Sequence, residues 1–115
     1  MILKTRSNSK TAEFPAEVKG VTMWELISDR DGAPTFQLRE VKIEAGMKSP
    51  DHSHDWEHEM YVLEGDAICK TGDRETPVKV GDAILIPGGE HHCIRAGKKG
   101  VRLVCCIPVT KSCQM

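Results

Sequence analysis

Three of the five histidines in this 115-residue chain fall within seven positions, at His52, His54 and His58; the other two are the neighbours His91 and His92. Neutral imidazole is the commonest protein ligand for transition metals. In an extended chain, side chains two or four positions apart share a face. His52, His54 and His58 can therefore converge on one point. His92, just after Pro87-Gly88-Gly89, opens a later strand-like stretch and can close the set from a neighbouring strand. The expected chemistry is divalent metal binding by His52, His54, His58 and His92. His91 should point the opposite way from His92 and lie outward. The stretch His54-Asp55-Trp56-Glu57-His58 also spells the H-x-x-E-H pattern of a zinc peptidase. That chemistry needs a helix to bring histidines four apart onto one face. Here the segment follows Pro50 and runs into the β-rich MYVLEG, so the peptidase is rejected.

The elements that must position these residues read as strands. VTMWELI is followed by a turn at Asp31-Gly32-Ala33-Pro34, and FQLREVKI alternates apolar and polar residues. MYVLEG and DAICK read as a hairpin closed at Glu64-Gly65-Asp66, with another turn at Gly72-Asp73. TPVKV and DAILI follow, separated by Gly81. HHCIR and VRLVCCI read as two more strands, parted by Gly97 to Gly100. Gly65, Gly81, Pro87 and Gly89 read as turn residues. Seven to nine short strands at regular spacing predict an all-β sandwich or barrel. Residues 1–19 read as a polar arm, either loose or adding a strand to a partner. Residues 20–110 read as the barrel and 111–115 as a tail.

Composition narrows the function. Sixteen basic against seventeen acidic residues give a net charge of −1. That leaves no basic surplus for nucleic acid, and no helix pair reads as a DNA reader. No apolar run is long enough to span a bilayer as a helix. The N-terminal MILKTRSNSK lacks the apolar stretch of a secretory signal, and five cysteines form an odd set without a C-x-x-C pair. The expected location is the cytoplasm, with reduced thiols.

Two stretches resemble the paired motifs of the cupin superfamily. The first family motif is G-x5-H-x-H-x3,4-E-x6-G. Here it runs from Gly46 through His52 and His54 to position 58 and Gly65. The second is G-x5-P-x-G-x2-H-x3-N, matched by Gly81, Pro87, Gly89, His92 and then Ala96. Ala96 departs from an asparagine that is structural in the family, which leaves the metal ligands untouched. His58 stands where the family usually has its ligand Glu. Glu59 would fit the longer spacer, but only by shortening the next gap, and it has the wrong parity. It remains the competing ligand if the loop 55–57 breaks the alternation.

The chain is thus most similar to small, single-domain cupins of the manganese-binding, four-histidine type. The resemblance implies a double-stranded β-helix (jelly-roll) barrel and a likeness to homodimers in which the N-terminal arm can be exchanged. It implies Mn first and Fe next. Imidazole ligation alone also admits Zn, Ni, Co or Cu.

Four neutral histidines would leave the charge of the ion uncompensated and favour anionic co-ligands. An octahedral ion would keep two open positions. The expectation is a dioxygenase-like oxidoreductase acting on a small organic substrate. The alternatives are a Lewis-acid isomerase or lyase, or a non-catalytic metal or ligand binding module. Arg39 reads as a solvated edge arginine or, as a candidate catalytic residue, a binder of substrate anions. Trp56 and Met60 could wall the site. One of Cys105 and Cys106 should face the interior, and Cys106 is the second weak catalytic candidate. Cys69, Cys93 and Cys113 carry no motif.

Overall fold

The computed structural model describes residues 1–109; Thr110 and the predicted tail 111–115 lie outside the described residues. Among the described residues seven strands form: β1 (Lys10–Thr11), β2 (Val21–Ile27), β3 (Phe36–Ile43), β4 (His58–Thr71), β5 (Arg74–Lys79), β6 (Ala83–Ile86) and β7 (His92–Pro108). All pairings are antiparallel. The order is β1-β2-β3-β7-β4-β5, with β6 pairing the first residues of β4, His58 to Tyr61, and β5 its last, Asp66 to Thr71.

The alternating segments VTMWELI and FQLREVKI form β2 and β3 as read from the sequence. On β3 the side chains of Gln37, Arg39, Val41 and Ile43 are buried, with Glu40 also largely covered, while Phe36, Leu38 and Lys42 face out, so at the start of the strand the polar residues and not the apolar ones point inward. This period-2 pattern builds the core. Met23, Val41, Ile43, Met60, Val62, Ile86, Ile94, Leu103 and Ile107 pack together from five strands. The Gly72-Asp73 turn closes the β4–β5 hairpin, with Thr71 opposite Arg74.

Two predicted breaks are absent. The expected hairpin at Glu64-Gly65-Asp66 is instead the middle of the 14-residue β4. The expected gap at Gly97 to Gly100 lies inside the 17-residue β7. The two strands pair from Glu59↔Cys106 to Thr71↔His92, with register shifts at Val62/Glu64 and Gly65/Ala67. The physical reason is that these glycines bend strands rather than end them. Gly65 has φ +78°, and a Cβ there would sit 2.0 Å from the carbonyl oxygen of Gly100, itself at φ +77°. Only glycine permits both the conformation and the close approach.

The bend decides the topology. Straight, β4 would run about 43 Å at roughly 3.3 Å per residue. His58 opens β4, and His92 pairs with Thr71 at its far end, yet the His58 and His92 rings lie 5.0 Å apart. The β4–β7 ribbon must therefore fold back so that its ends meet. That is the roll of a jelly-roll barrel. The arm has its own local structure. A 3-10 turn at Arg6–Asn8 leads into β1, which pairs Lys10 and Thr11 with Glu25 and Trp24 of β2.

Candidate metal centre

The ends of the folded ribbon carry the histidines. His58 is the first residue of β4 and His92 the first of β7, while His52 is bridged to His92 by reciprocal backbone hydrogen bonds of 2.8 and 3.1 Å. The loop before His52 is fastened to β7 by Ser49. Its N–H donates to the Ile94 carbonyl at 2.8 Å, and its hydroxyl accepts from the Ile94 N–H at 2.8 Å. The Pro-Gly-Gly turn clasps the same loop from the other side. Gly89 N–H donates to the His54 carbonyl at 2.6 Å, and a Cβ on Gly88 would lie 2.4 Å from the Asp55 carbonyl oxygen. The two sequence motifs are thus held together by backbone contact.

Among the described residues, ligand atoms of His52, His54 and His92 lie within 4.8 Å of one another. His58 adjoins this group, its Nε2 2.8 Å from Nε2 of His54. The rings of His54 and His92 are each within 5.1 Å of the other three. Two rings are oriented by main-chain acceptors. His54 Nδ1–H donates to the Trp56 carbonyl at 2.8 Å, and His92 Nδ1–H donates to the Glu90 carbonyl at 2.9 Å. Both rings therefore turn a bare Nε2 inward, as a metal ligand must. Trp56 stacks flat on His54, with centroids 4.0 Å apart.

The cluster fits a cation better than it fits the protein alone. Nε2 of His52 and Nε2 of His92 are buried without a hydrogen-bond partner among the described residues. Buried polar nitrogens left in that state are costly and mark a missing ligand. The rings also resist protonation. Burial, followed by the neighbouring His92 and His54, pushes His52 down to about 4. Burial, followed by Arg39 and the other histidines, pushes His58 down to about 2. His54 is lowered for the same reasons, burial first and His92 second. Neutral imidazole, the ligating form, is favoured at His52, His54 and His58.

His91 points outward as its parity requires, half-exposed, with Nδ1 3.1 Å from an Asp51 carboxylate oxygen. Glu59 is exposed on the outer face of β4, opposite Leu85 and Cys106. Met60 is in the core. Cys105 is the cysteine that faces inward, fully buried; Cys106 lies on the outer side, beside Tyr61, Leu85 and Val104.

Arg39 is a correction to its reading as a solvated edge side chain. Its relative exposure is 0%. Nη2 lies 3.4 Å from His58 Nδ1 and 3.1 Å from Cys105 Sγ. Nε and Nη1 are buried without a partner among the described residues. The sequence held no signal for this beyond the strand alternation, which places position 39 inside with Val41 and Ile43. The carbonyls of Trp56 and Glu90 and the contact of Cys105 Sγ with His58 Nδ1 at 3.1 Å were likewise unreadable from residue types. A surface cleft of about 560 Å³ opens elsewhere, beside the Gly65–Gly100 bend, lined by Arg6, Trp24, Lys42, Glu64, Lys99 and Arg102 among others. It contains none of the histidines. Its arginines are engaged by Glu40 and Glu64, so the chemistry is assigned to the histidine cluster.

The folded ribbon and the spacing of its histidines define a class, and comparison agrees. Residues 39–107 match the cupin domain family, and the chain belongs to it. Its fold is similar to that of the polyketide cyclase RemF from Streptomyces resistomycificus, with 35% identity, a TM-score of 0.84, and coverage of 95% of this chain and 80% of that one. It is also similar to a predicted oxalate decarboxylase from Thermotoga maritima, at 23% identity and a TM-score of 0.76 over 94% of this chain and 99% of that one. KdgF from Halomonas sp. aligns with a TM-score of 0.77 at 15% identity, covering 94% and 93%. The last two likenesses concern the fold alone. Comparison with curated protein sequences finds no match. Among the described residues, no helix is long and apolar enough to cross a membrane.

Proposed function

We propose that this cupin is a metal-dependent enzyme that holds one divalent ion on His52, His54, His58 and His92 and acts on a small organic substrate presenting an oxygen anion. The observation that carries this is the pair of buried, partnerless Nε2 atoms on His52 and His92, in a cluster where His54 and His92 already have Nδ1 tied to backbone carbonyls. When bound, the ion supplies Lewis acidity undiminished by any carboxylate ligand, which favours enolate, phenolate or carboxylate co-ligands.

The chain's own residues would do the rest. Arg39 is a second positive group beside the histidines, with two nitrogens free to hold and orient a substrate anion. Trp56 stacks on one face of His54 and packs against the apolar core, which would hold that ring in place. The likeness to a polyketide cyclase at 35% identity supports chemistry on an enolisable carbonyl compound without an external oxidant, of the isomerase, lyase or cyclase kind.

A second reading is the dioxygenase-like oxidoreductase expected from the all-histidine donor set, which resembles the manganese cupins and would require Mn or Fe. One experiment separates the two. The purified protein is loaded in turn with Zn, Mn and Fe and assayed on enolisable and polyhydroxylated aromatic compounds, with and without oxygen. Turnover with Zn in the absence of oxygen supports the Lewis-acid enzyme. Turnover confined to Mn or Fe, with oxygen uptake, supports the oxidoreductase. Tight binding of these compounds without turnover under any condition contradicts both and leaves a binding module.

The working assembly in this proposal is a cytoplasmic homodimer. Phe36, Leu38, Tyr61 and Leu85 are exposed apolar side chains on the outer face of neighbouring strands, a surface suited to a second copy, and residues 1–19 would supply the exchanged arm. Light scattering on the purified protein should give twice the 12.7 kDa chain mass; a monomer at micromolar concentration contradicts it.

A further inference from the structure

His58 differs from the other oriented histidines in what faces its Nδ1. His54 and His92 meet carbonyl oxygens, which only accept. His58 Nδ1 meets Cys105 Sγ at 3.1 Å and Arg39 Nη2 at 3.4 Å. A guanidinium only donates, whereas a thiol can donate or accept.

The proton positions follow by elimination. His54 carries its proton on Nδ1, so its Nε2 accepts. The 2.8 Å contact between the two Nε2 atoms therefore places a proton on Nε2 of His58. Nδ1 of His58 is then bare and accepts from Cys105 or Arg39, while Arg39 also donates to Cys105 Sγ at 3.1 Å. In this arrangement His58 has no lone pair to offer an ion. To bind through Nε2, the neutral ring must carry its proton on Nδ1 instead. Arg39 then faces a donor with a donor, and among the described residues Cys105 Sγ is the neighbour of Nδ1 able to accept.

We propose that Cys105 and Arg39 control which tautomer His58 adopts, and through it the affinity of the centre for metal. Cys105 is a positioning residue that permits the metal-binding tautomer by accepting from Nδ1–H. Arg39 favours the metal-free tautomer, in which His58 and His54 close on each other. The net protonation of the ring is the same in both. This inference rests on the reading of His58 as a ligand.

The direct test needs no substitution. Two-bond proton–nitrogen correlation spectra of ¹⁵N-histidine-labelled protein should show His58 protonated at Nε2 without metal and at Nδ1 after one equivalent of zinc. Zinc affinity, measured by competition with a chromophoric chelator, supplies the second arm. Cys105→Val should weaken zinc by about 10–100-fold, the usual effect of losing a partner of a metal-bound histidine. Cys105→Ser, which can still accept, should remain within about threefold of the parent, less than half of a tenfold step in free energy. Arg39→Met should bind zinc more tightly, by up to about tenfold, as the competing donor is lost. Finding His58 protonated at Nδ1 in the metal-free protein, or Cys105→Val with parental affinity, overturns the inference while leaving the metal centre standing. If His58→Gln binds zinc as tightly as the parent, the ligand reading itself fails and the inference falls with it.

Discussion

The folded β4–β7 ribbon has two ends of opposite character. At its bend, around Gly65 and Gly100, the charged groups satisfy one another. Arg102 reaches Glu64 at 2.6 Å and Glu40 at 3.2 Å, and Arg6 reaches the same Glu40 oxygen at 2.7 Å. At its open end, Nε2 of His52, Nε2 of His92, and Nε and Nη1 of Arg39 are buried with no partner among the described residues. Both ends are made by the same strands, so strand geometry is not the cause. The bend carries complementary charges at the surface, where water would tolerate them unpaired. The open end carries like groups, all donors or all bare nitrogens, in the interior. An interior of that kind is stable only when something outside the sequence completes it.

Breaking the open end should have the largest effect. His54→Ala or His92→Ala removes a ring that touches all three others, and zinc or manganese affinity should fall by more than about 100-fold, beyond the loss expected for an outer partner alone. Isothermal titration against the parent checks this. Next comes the bend itself. Gly65→Ala must place a Cβ against the Gly100 carbonyl at positive φ, and should lower stability in urea by at least about 1–3 kcal/mol. Ser49→Ala leaves the buried Ile94 N–H without its side-chain acceptor. It should cost about 1–3 kcal/mol and loosen the His52 loop, visible as faster hydrogen exchange at Ile94. Smallest is the surface network. Arg102→Ala should cost about 1 kcal/mol or less, since exposed pairs are screened, and should leave metal affinity unchanged. Equal losses of metal from Arg102→Ala and His54→Ala would erase the contrast between the two ends.

Acidity sharpens the same contrast. His52 titrates in the folded chain at about 4, against an ordinary 6.5. Between those values the unfolded chain binds the proton and the folded chain does not, so stability falls as pH drops through this window. The metal-free protein should melt at progressively lower temperature from about pH 6.5 toward 4, with His58, lowered further, extending the loss below that. Bound metal should counter the trend until protons displace it. A melting temperature that is flat from pH 7 to 4 in the metal-free protein would contradict the buried, neutral cluster.

Much of this was readable from residues. Strand β3 is legible in FQLREVKI as an element but not in its facing: the apolar residues change parity between Leu38 and Val41, and the structure buries Gln37 and Arg39 while exposing Phe36 and Leu38. The even spacing of His52, His54 and His58 placed three rings on one side, and the structure brings these rings into one cluster with His92. The bent strands were not legible. Gly65 and Gly100 look like turn residues, and nothing local distinguishes a glycine that ends a strand from one that bends it while pairing continues. The burial of Arg39 was masked by its charge. The carbonyls of Trp56 and Glu90 act through backbone, which residue type does not encode. The contact of Cys105 with His58 joins residues 47 positions apart, beyond any local pattern.

The central claim is that the four histidines form one metal centre. Elemental analysis of the native protein, alongside His52→Ala and His92→Ala variants shown by circular dichroism to be folded, tests it most directly. The account predicts close to one divalent ion per chain in the parent and essentially none in either variant. A parent purified without metal that also fails to take up zinc, manganese or iron, or variants that keep a full equivalent, would contradict it.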